Sequence, residues 1–114
     1  KKFDVKTKGI TQVISGLSGG NRQKVNLGRW MIQDKEVLIL DCPTRGVDVG
    51  VKSYIYRSMM EAKKQGVAMI VVSDELPELI GMADTLMVMK AGRLAAVMKR
   101  SEVFTEEKII EVML

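Results

Sequence analysis

The 114-residue sequence predicts an α/β fold with mostly parallel strands, flanking helices and a C-terminal β-hairpin. Two short apolar runs, 37–40 ("VLIL") and 67–72 ("VAMIVV"), have the length and continuity of strands in a parallel sheet. The residues between them carry apolar side chains at helical spacing, as a crossover helix does. Two further apolar runs flank Lys90, Ala91 and Gly92, which is typical of a hairpin.

Composition excludes several classes of protein. The chain is 46% hydrophobic, 28% charged and 4% aromatic, which suits one globular unit. No apolar run is long enough to cross a bilayer, and the first residues lack the apolar stretch of a secretory signal. One cysteine and no histidine exclude an internal disulfide and the usual zinc spacings, so we expect a reducing, cytosolic setting. The net charge of +4 comes from scattered basic residues, most of them interpreted as solvated, so no nucleic-acid partner is expected.

The N-terminal region combines a weak strand signal with a strong helix signal. Phe3 and Val5 alternate with polar residues between positions 2 and 7, and Gly9 indicates a loop. The glycine-rich segment 15–21 ("SGLSGGN") then leads into a helix predicted over 22–33. The residues expected on one face of this helix are Lys24, Leu27, Gly28 and Met31.

The central strands end in polar residues. The first run ends at Asp41 and the second at Ser73 and Asp74, while Gly66 is placed to end the helix between them. Strands of this kind are usually covered on both faces, and the remaining residues can hardly supply that cover. We therefore expect apolar surface to be exposed, as in part of a larger α/β domain.

The C-terminal third predicts a short helix, a hairpin and a last helix. The short helix covers "LPELIGMA", and the hairpin strands are "TLMVM" and "RLAAVM". The last helix begins at Thr105, with Glu106 and Glu107 in its first turn, where the helix dipole favours anions.

Some conspicuous side chains are interpreted as structural. Trp30 is assigned to packing rather than base stacking, and Glu75 and Glu78 to helix capping or solvent. Several methionines fall at positions expected in the core. They are Met31, Met59, Met69, Met87 and Met89.

The loops carry the residues with possible chemistry. A helix N-terminus offers unpaired N–H groups and partial positive charge, so Ser18, Gly19 and Gly20 could bind an anion. A capping serine followed by flexible glycines is the simpler alternative. Asp41, at the carboxyl end of a buried strand, is placed where α/β sheets bind ligands and could hold magnesium.

Three motifs together resemble ATP-binding cassette (ABC) proteins. "LSGGNRQKV" resembles the signature motif, "VLILDCPTRGVDVG" the Walker B strand and D-loop, and "IVVSDELPEL" the switch region. The variants are most similar to the second cassette of bacterial simple-sugar importers of the ribose, galactoside and xylose type. The resemblance implies a partial P-loop NTPase-like fold, with residues 1–114 as the C-terminal part of one nucleotide-binding domain. The Walker A motif, G-x-x-x-x-G-K-[ST], does not occur in this sequence, so we expect no ordinary ATP binding within the segment.

The resemblance also implies residue roles. In the family, the signature of one cassette contacts the γ-phosphate held by another, which gives that role in trans to Ser18, Gly19 and Gly20. Asp41 would hold Mg²⁺ through water. The residues implied to form the D-loop across the dimer interface are Gly46, Val47 and Asp48.

Two positions depart from the family pattern. Cys42 stands where active cassettes usually have a glutamate that polarises the attacking water, and a thiol is a poor substitute. Asp74 stands where the family has its switch histidine. Cys42 can also be a small buried residue after a strand, which is compatible with the first interpretation.

The resemblance implies an ATPase component of a sugar importer, with ATP and Mg²⁺ as cofactors. Its partners would be a second cassette, membrane permease subunits and, indirectly, a sugar-binding protein, at the cytoplasmic face of the inner membrane. One alternative is a degenerate, non-hydrolytic half-cassette that donates its signature to a partner's ATP. Another is a non-transport ABC protein acting on ribosomes or DNA. We expect the segment alone to be inactive, and its sequence does not specify the sugar.

Overall fold

The computed structural model describes residues 3–100 and 105–114, which fall into two units, Lys1–Val72 and Ser73–Leu114. The first unit contains a 3-10 turn (Ile14–Gly16), α1 (Gly19–Met31), β1 (Val37–Asp41), α2 (Val49–Lys64) and β2 (Ala68–Val72). The second contains α3 (Leu76–Met82), β3 (Thr85–Lys90), β4 (Arg93–Lys99) and α4 (Glu106–Met113). None of the helices in these ranges is long and apolar enough to cross a membrane.

The segment before α1 is not a strand. The weak signal at 2–7 is wrong for residues 3–7, and Lys2 lies outside the described residues. The N–H of Lys6 donates to Asn21 Oδ1 at 3.0 Å, and that of Lys8 donates to Gln12 Oε1 at 2.7 Å. Side-chain acceptors thus satisfy the backbone groups that a strand would present to a neighbour.

Helix α1 begins earlier than predicted. It starts at Gly19 rather than at Arg22, because Ser18 caps it and the glycines form its first turn. The predicted common face is confirmed, since Lys24, Leu27 and Gly28 are buried.

The parallel βαβ unit is confirmed. β1 and β2 pair in parallel, with Val37 opposite Ala68 and Asp41 opposite Val72, and α2 is the crossover. Leu38 and Leu40 of β1 are buried, as are Ile55 and Met59 of α2. The opposite face remains exposed in the described residues, as the shortage of covering elements led us to expect. The large apolar side chains exposed on these strands are Val37, Ile39, Ile70 and Val72.

The second unit is a hairpin with two helices. β3 and β4 pair antiparallel, joined by Ala91 (φ 48°) and Gly92 (φ 74°), which have the left-handed backbone of a tight hairpin turn. Leu86, Val88 and Ile109 form the core of this unit, with Leu79 of α3 packed against it. The predicted start of α4 is confirmed, because Thr105 Oγ1 accepts the N–H of Lys108.

Two methionines were assigned wrongly to the core. Met87 and Met89 are 57% and 59% exposed, whereas Met59 is buried. Successive side chains of a strand point to opposite faces, so burial of Leu86 and Val88 turns these methionines outward.

Candidate functional site

Asp41 and Cys42 terminate β1 at its carboxyl end. Asp41 is exposed and Cys42 half-buried. The N–H of Cys42 donates to the carbonyl of Val72 at 2.8 Å, so hydrogen bonding to β2 continues one residue past the strand. Cys42 has a left-handed backbone with φ 46°, which is uncommon for a residue with a side chain. The chain therefore turns sharply at the position where the family usually has glutamate.

The loop after Cys42 is a compact connection to α2. Thr44 is 1% exposed, and Gly46 has φ 72°, a conformation that glycine adopts without a Cβ clash. Asp48 Oδ1 accepts the N–H of Val51 at 2.9 Å and so caps α2. Asp48, predicted for the D-loop, thus has a structural role of its own.

The first turn of α1 gives different environments to the predicted signature residues. Ser18 Oγ accepts the backbone N–H of Asn21 at 3.3 Å and its side-chain amide at 2.9 Å. A Cβ added at Gly19 would meet nothing within 4 Å, but one at Gly20 would lie 2.6 Å from Val51 Cγ2. Packing against α2 therefore explains Gly20, whereas Gly19 faces open space.

A groove of about 480 Å³ joins the start of α1 to the loop after β1. Its lining includes three predicted site residues, Gly19, Gly46 and Val47, but not Ser18, Gly20, Asp41, Cys42 or Asp48. It also includes three arginines that we did not predict for the site, Arg22, Arg29 and Arg45. The seven-residue spacing of Arg22 and Arg29, two helical turns, was a signal that could have indicated a shared face.

Gln23 links the two sides of this groove. Its side-chain amide donates to the carbonyl of Pro43 at 2.5 Å, tying α1 to the loop that follows Cys42. Sequence reasoning missed this contact, because an amide in a helix has no motif that identifies its partner.

Lys24 supports α1 from within the first unit. Interpreted from sequence as one of the scattered basic residues, it is buried, donates to the Asp4 carbonyl at 3.1 Å, and lies 4.6 Å from the centre of the Tyr54 ring. Burial raises the pKa of Tyr54, the Asp4 charge acts in the same direction, and a hydrogen bond with Ser58 opposes both. The lysine thus fastens the N-terminal segment and α2 to α1.

The predicted switch residues belong to the second unit. Asp74 is exposed, while Ser73 Oγ donates to Glu78 Oε2 at 2.6 Å and accepts the N–H of Glu75 at 3.0 Å. Glu78 lies in the first turn of α3, as the capping alternative predicted, but it is only 9% exposed, so the assignment to solvent was wrong. Ser73 thus connects Glu75 and Glu78 at the start of α3.

No three cysteine, aspartate or glutamate side chains in the described ranges form a group that could hold a metal ion. Mg²⁺ commonly uses one or two carboxylates and completes its shell with water and substrate phosphates. A lone exposed carboxylate at Asp41 fits that donor set, and its assignment to Mg²⁺ stays a prediction.

Comparison with known proteins finds relatives of this chain. A family model described as ABC transporter matches residues 1–45. The arabinose import ATP-binding protein AraG of Mannheimia succiniciproducens is 49% identical over 112 residues, 98% of this chain and 22% of that protein. A Rhizobium meliloti protein named for ribose/galactose/methyl galactoside import is 46% identical over the same shares. The chain therefore spans about a fifth of these relatives.

Solved structures agree with the fold. The ADP conformation of MJ1267, an ATP-binding cassette of an ABC transporter, matches with a TM-score of 0.71 and 27% identity, over 85% of this chain and 40% of that one. The dimeric cassette MJ0796 gives 0.75 at 18% identity, over 90% and 44%, which supports the fold alone.

Proposed function

Because this chain belongs to the ABC transporter ATP-binding family, we propose that it works within the ATP-binding component of a sugar importer, coupling ATP hydrolysis to uptake. Its partners would be a second cassette and membrane permease subunits at the cytoplasmic face of the inner membrane. A sugar-binding protein would be an indirect partner. The names of the relatives, which concern arabinose or ribose and galactosides, support this substrate class.

The groove carries the proposal. It places Gly19, at the N-terminus of α1, beside Gly46 and Val47 of the predicted D-loop. Helix N–H groups and the helix dipole favour an anion at this end of α1. Arg22 and Arg45 also line the groove and add positive charge, whereas Arg29 lines it from the last turn of α1. A γ-phosphate presented by a second cassette would meet this surface, with Ser18 and Gly20 shaping the helix start behind it.

Asp41 and Cys42, at the carboxyl end of β1 and outside the groove, would form the part of the site that handles Mg²⁺ and water. Asp41 would hold Mg²⁺ through water, and Asp74 would take the place of the switch residue. A non-hydrolytic role remains the second candidate, because Cys42 supplies no carboxylate to orient water.

A chimeric protein, called the AraG graft below, tests the assignment of Gly19 to the signature motif. The segment replaces its 112-residue match in AraG, and Gly19→Asp is compared with Gln33→Glu, which adds the same charge at an exposed position outside the groove. Gly19→Asp creates no contact within 4 Å at its Cβ, so we expect folding to survive and ATP hydrolysis to fall by about 10²-fold. Equal rates in both variants would refute the assignment.

The ungrafted chain provides the complementary measurement. We expect no magnesium-dependent phosphate release above that of an Asp41→Ala variant, since the chain has no Walker A motif. Clear hydrolysis by the 114 residues would contradict the expectation that this segment needs a Walker A motif supplied by another cassette.

A further inference from the structure

A buried carboxylate holds the turn that contains Asp74. Glu78, in the first turn of α3, is 9% exposed, and its Oε2 lies 2.6 Å from Ser73 Oγ. Its own N–H donates to the carbonyl of Glu75 at 3.1 Å. Side chain and backbone of Glu78 thus contact residues on both sides of Asp74.

The hydroxyl of Ser73 both donates and accepts a hydrogen bond. Its one proton goes to Glu78, and a lone pair accepts the N–H of Glu75 at 3.0 Å. A hydroxyl with fixed donor and acceptor partners cannot rotate freely, so the backbone from 73 to 75 is held at both ends. Asp74 is the middle residue of that segment and projects an exposed side chain.

Capping alone does not explain this arrangement. The N–H of Glu75 is already satisfied by the serine hydroxyl, as in an ordinary serine turn. Burying a carboxylate is costly unless hydrogen bonds compensate, and a smaller apolar residue would avoid the cost. The bond from Ser73 to Glu78 adds rigidity to the turn rather than a missing partner for the helix start.

We propose that Glu78 is a positioning residue for ATP hydrolysis, which acts through Ser73 to fix the direction of Asp74. This inference rests on the proposed function, because Asp74 matters for chemistry only if the segment works in a cassette. Asp74 would meet water or the γ-phosphate, and Glu78 would touch neither.

The first experiment measures the turn itself. Backbone order parameters of residues 73–75 are determined by ¹⁵N NMR in the 114-residue chain carrying Ile39→Thr and Ile70→Thr, which remove exposed apolar side chains of β1 and β2 and so reduce association. The same chain with Glu78→Gln or Glu78→Leu added is compared with it. Gln keeps a side-chain oxygen that can accept the serine proton, whereas Leu has a similar size and no acceptor. We expect order to fall with Leu and to be retained with Gln. Unchanged order in a folded Leu variant would overturn the proposal.

The second experiment measures catalysis in the AraG graft carrying Cys42→Glu, with the other nucleotide site silenced at its phosphate-binding lysine. We expect Glu78→Leu and Ser73→Ala each to lower kcat about tenfold while KM for ATP changes less than twofold, and the double variant to be no slower. Glu78→Gln should rescue kcat. In an Asp74→Ala background, Glu78→Leu should have no further effect.

These outcomes separate the two proposals. A graft that hydrolyses no ATP before any change at Glu78 contradicts the proposed function. An active graft in which Glu78→Leu lowers the melting temperature but not kcat shows that Glu78 only stabilises the fold, and overturns the positioning role.

Discussion

Cys42 combines an unusual backbone conformation with a position where the resemblance implies a catalytic glutamate. Its left-handed φ of 46° is one that side chains rarely adopt, and the existing Cβ already bears that strain. A glutamate at this position therefore adds no new type of backbone strain, and its carboxylate would stand one residue beyond Asp41. We expect Cys42→Glu to raise steady-state hydrolysis in the AraG graft, whereas Asp74→His alone should do little.

The measurement needs the other site silenced and ATP binding determined separately, so that a folding defect is not mistaken for lost chemistry. If Asp74→His raised the rate and Cys42→Glu left it unchanged, the defect would have been assigned to the wrong residue.

Gly20 and Gly19 form a matched pair for stability. A Cβ at position 20 would lie 2.6 Å from Val51 Cγ2, a short and stiff β-branched side chain, whereas position 19 is open. We expect Gly20→Ala to destabilise the first unit by about 1–3 kcal/mol and Gly19→Ala to have a much smaller effect. Urea denaturation measures both, and Val51→Ala should relieve the Gly20→Ala defect. A Gly20→Ala variant as stable as Gly19→Ala would argue against the packing explanation.

At the scale of elements, Asp48 joins the predicted D-loop to the start of α2. Its carboxylate caps the helix through the N–H of Val51, and Asn caps helices about as well as Asp. We expect Asp48→Ala to cost about 1 kcal/mol, a melting shift of roughly 5 °C, and Asp48→Asn to cost little.

Hydrolysis rates of Asp48→Ala and Asp48→Asn in the graft distinguish a capping role of Asp48 from a charge-dependent role at the dimer interface. If Asp48→Asn is stable but slows hydrolysis in the graft, the carboxylate acts beyond α2. If both variants hydrolyse ATP normally per folded molecule, the function of Asp48 is confined to the cap.

Within the part of the chain that the structure describes, the sequence predicted the four α-helices and both strand pairs, because local spacing of apolar residues decides which segments can bury a face. The boundaries were less certain: Gly19 to Asn21 look like a loop in composition, yet the Ser18 cap makes them helical. Phe3 and Val5 failed as a strand because pairing depends on a neighbour that periodicity does not reveal.

Motifs predicted Gly19, Gly46 and Val47 as site residues, and all three line the groove, while their role in binding stays a prediction. They did not reveal the arginines beside them or the buried state of Glu78, because a charged residue looks the same in sequence whether it is solvated or paired. Side-chain partners depend on tertiary contacts, and an isolated sequence contains few signals for them.

At the scale of the whole molecule, the sheet of the first unit has one uncovered face. Ile39 is 68% exposed and Ile70 44% exposed, on neighbouring parallel strands where they are register partners. Apolar side chains clustered on a sheet favour association. We expect the isolated chain to be dimeric or prone to aggregation, and Ile39→Thr with Ile70→Thr to reduce association.

Light scattering over a concentration series measures this effect. Leu94→Thr with Val97→Thr serves as a control, because it removes exposed apolar side chains from the other unit. A monodisperse monomer with cooperative unfolding in the unsubstituted chain would contradict the prediction.

The bond from Gln23 to Pro43 has a mechanical consequence. A helix of 13 residues is stiff, and its second turn is bonded to the carbonyl of Pro43, the residue directly after Cys42. We expect a partner that displaces the first turn of α1 to displace the Pro43 carbonyl with it, two residues beyond Asp41.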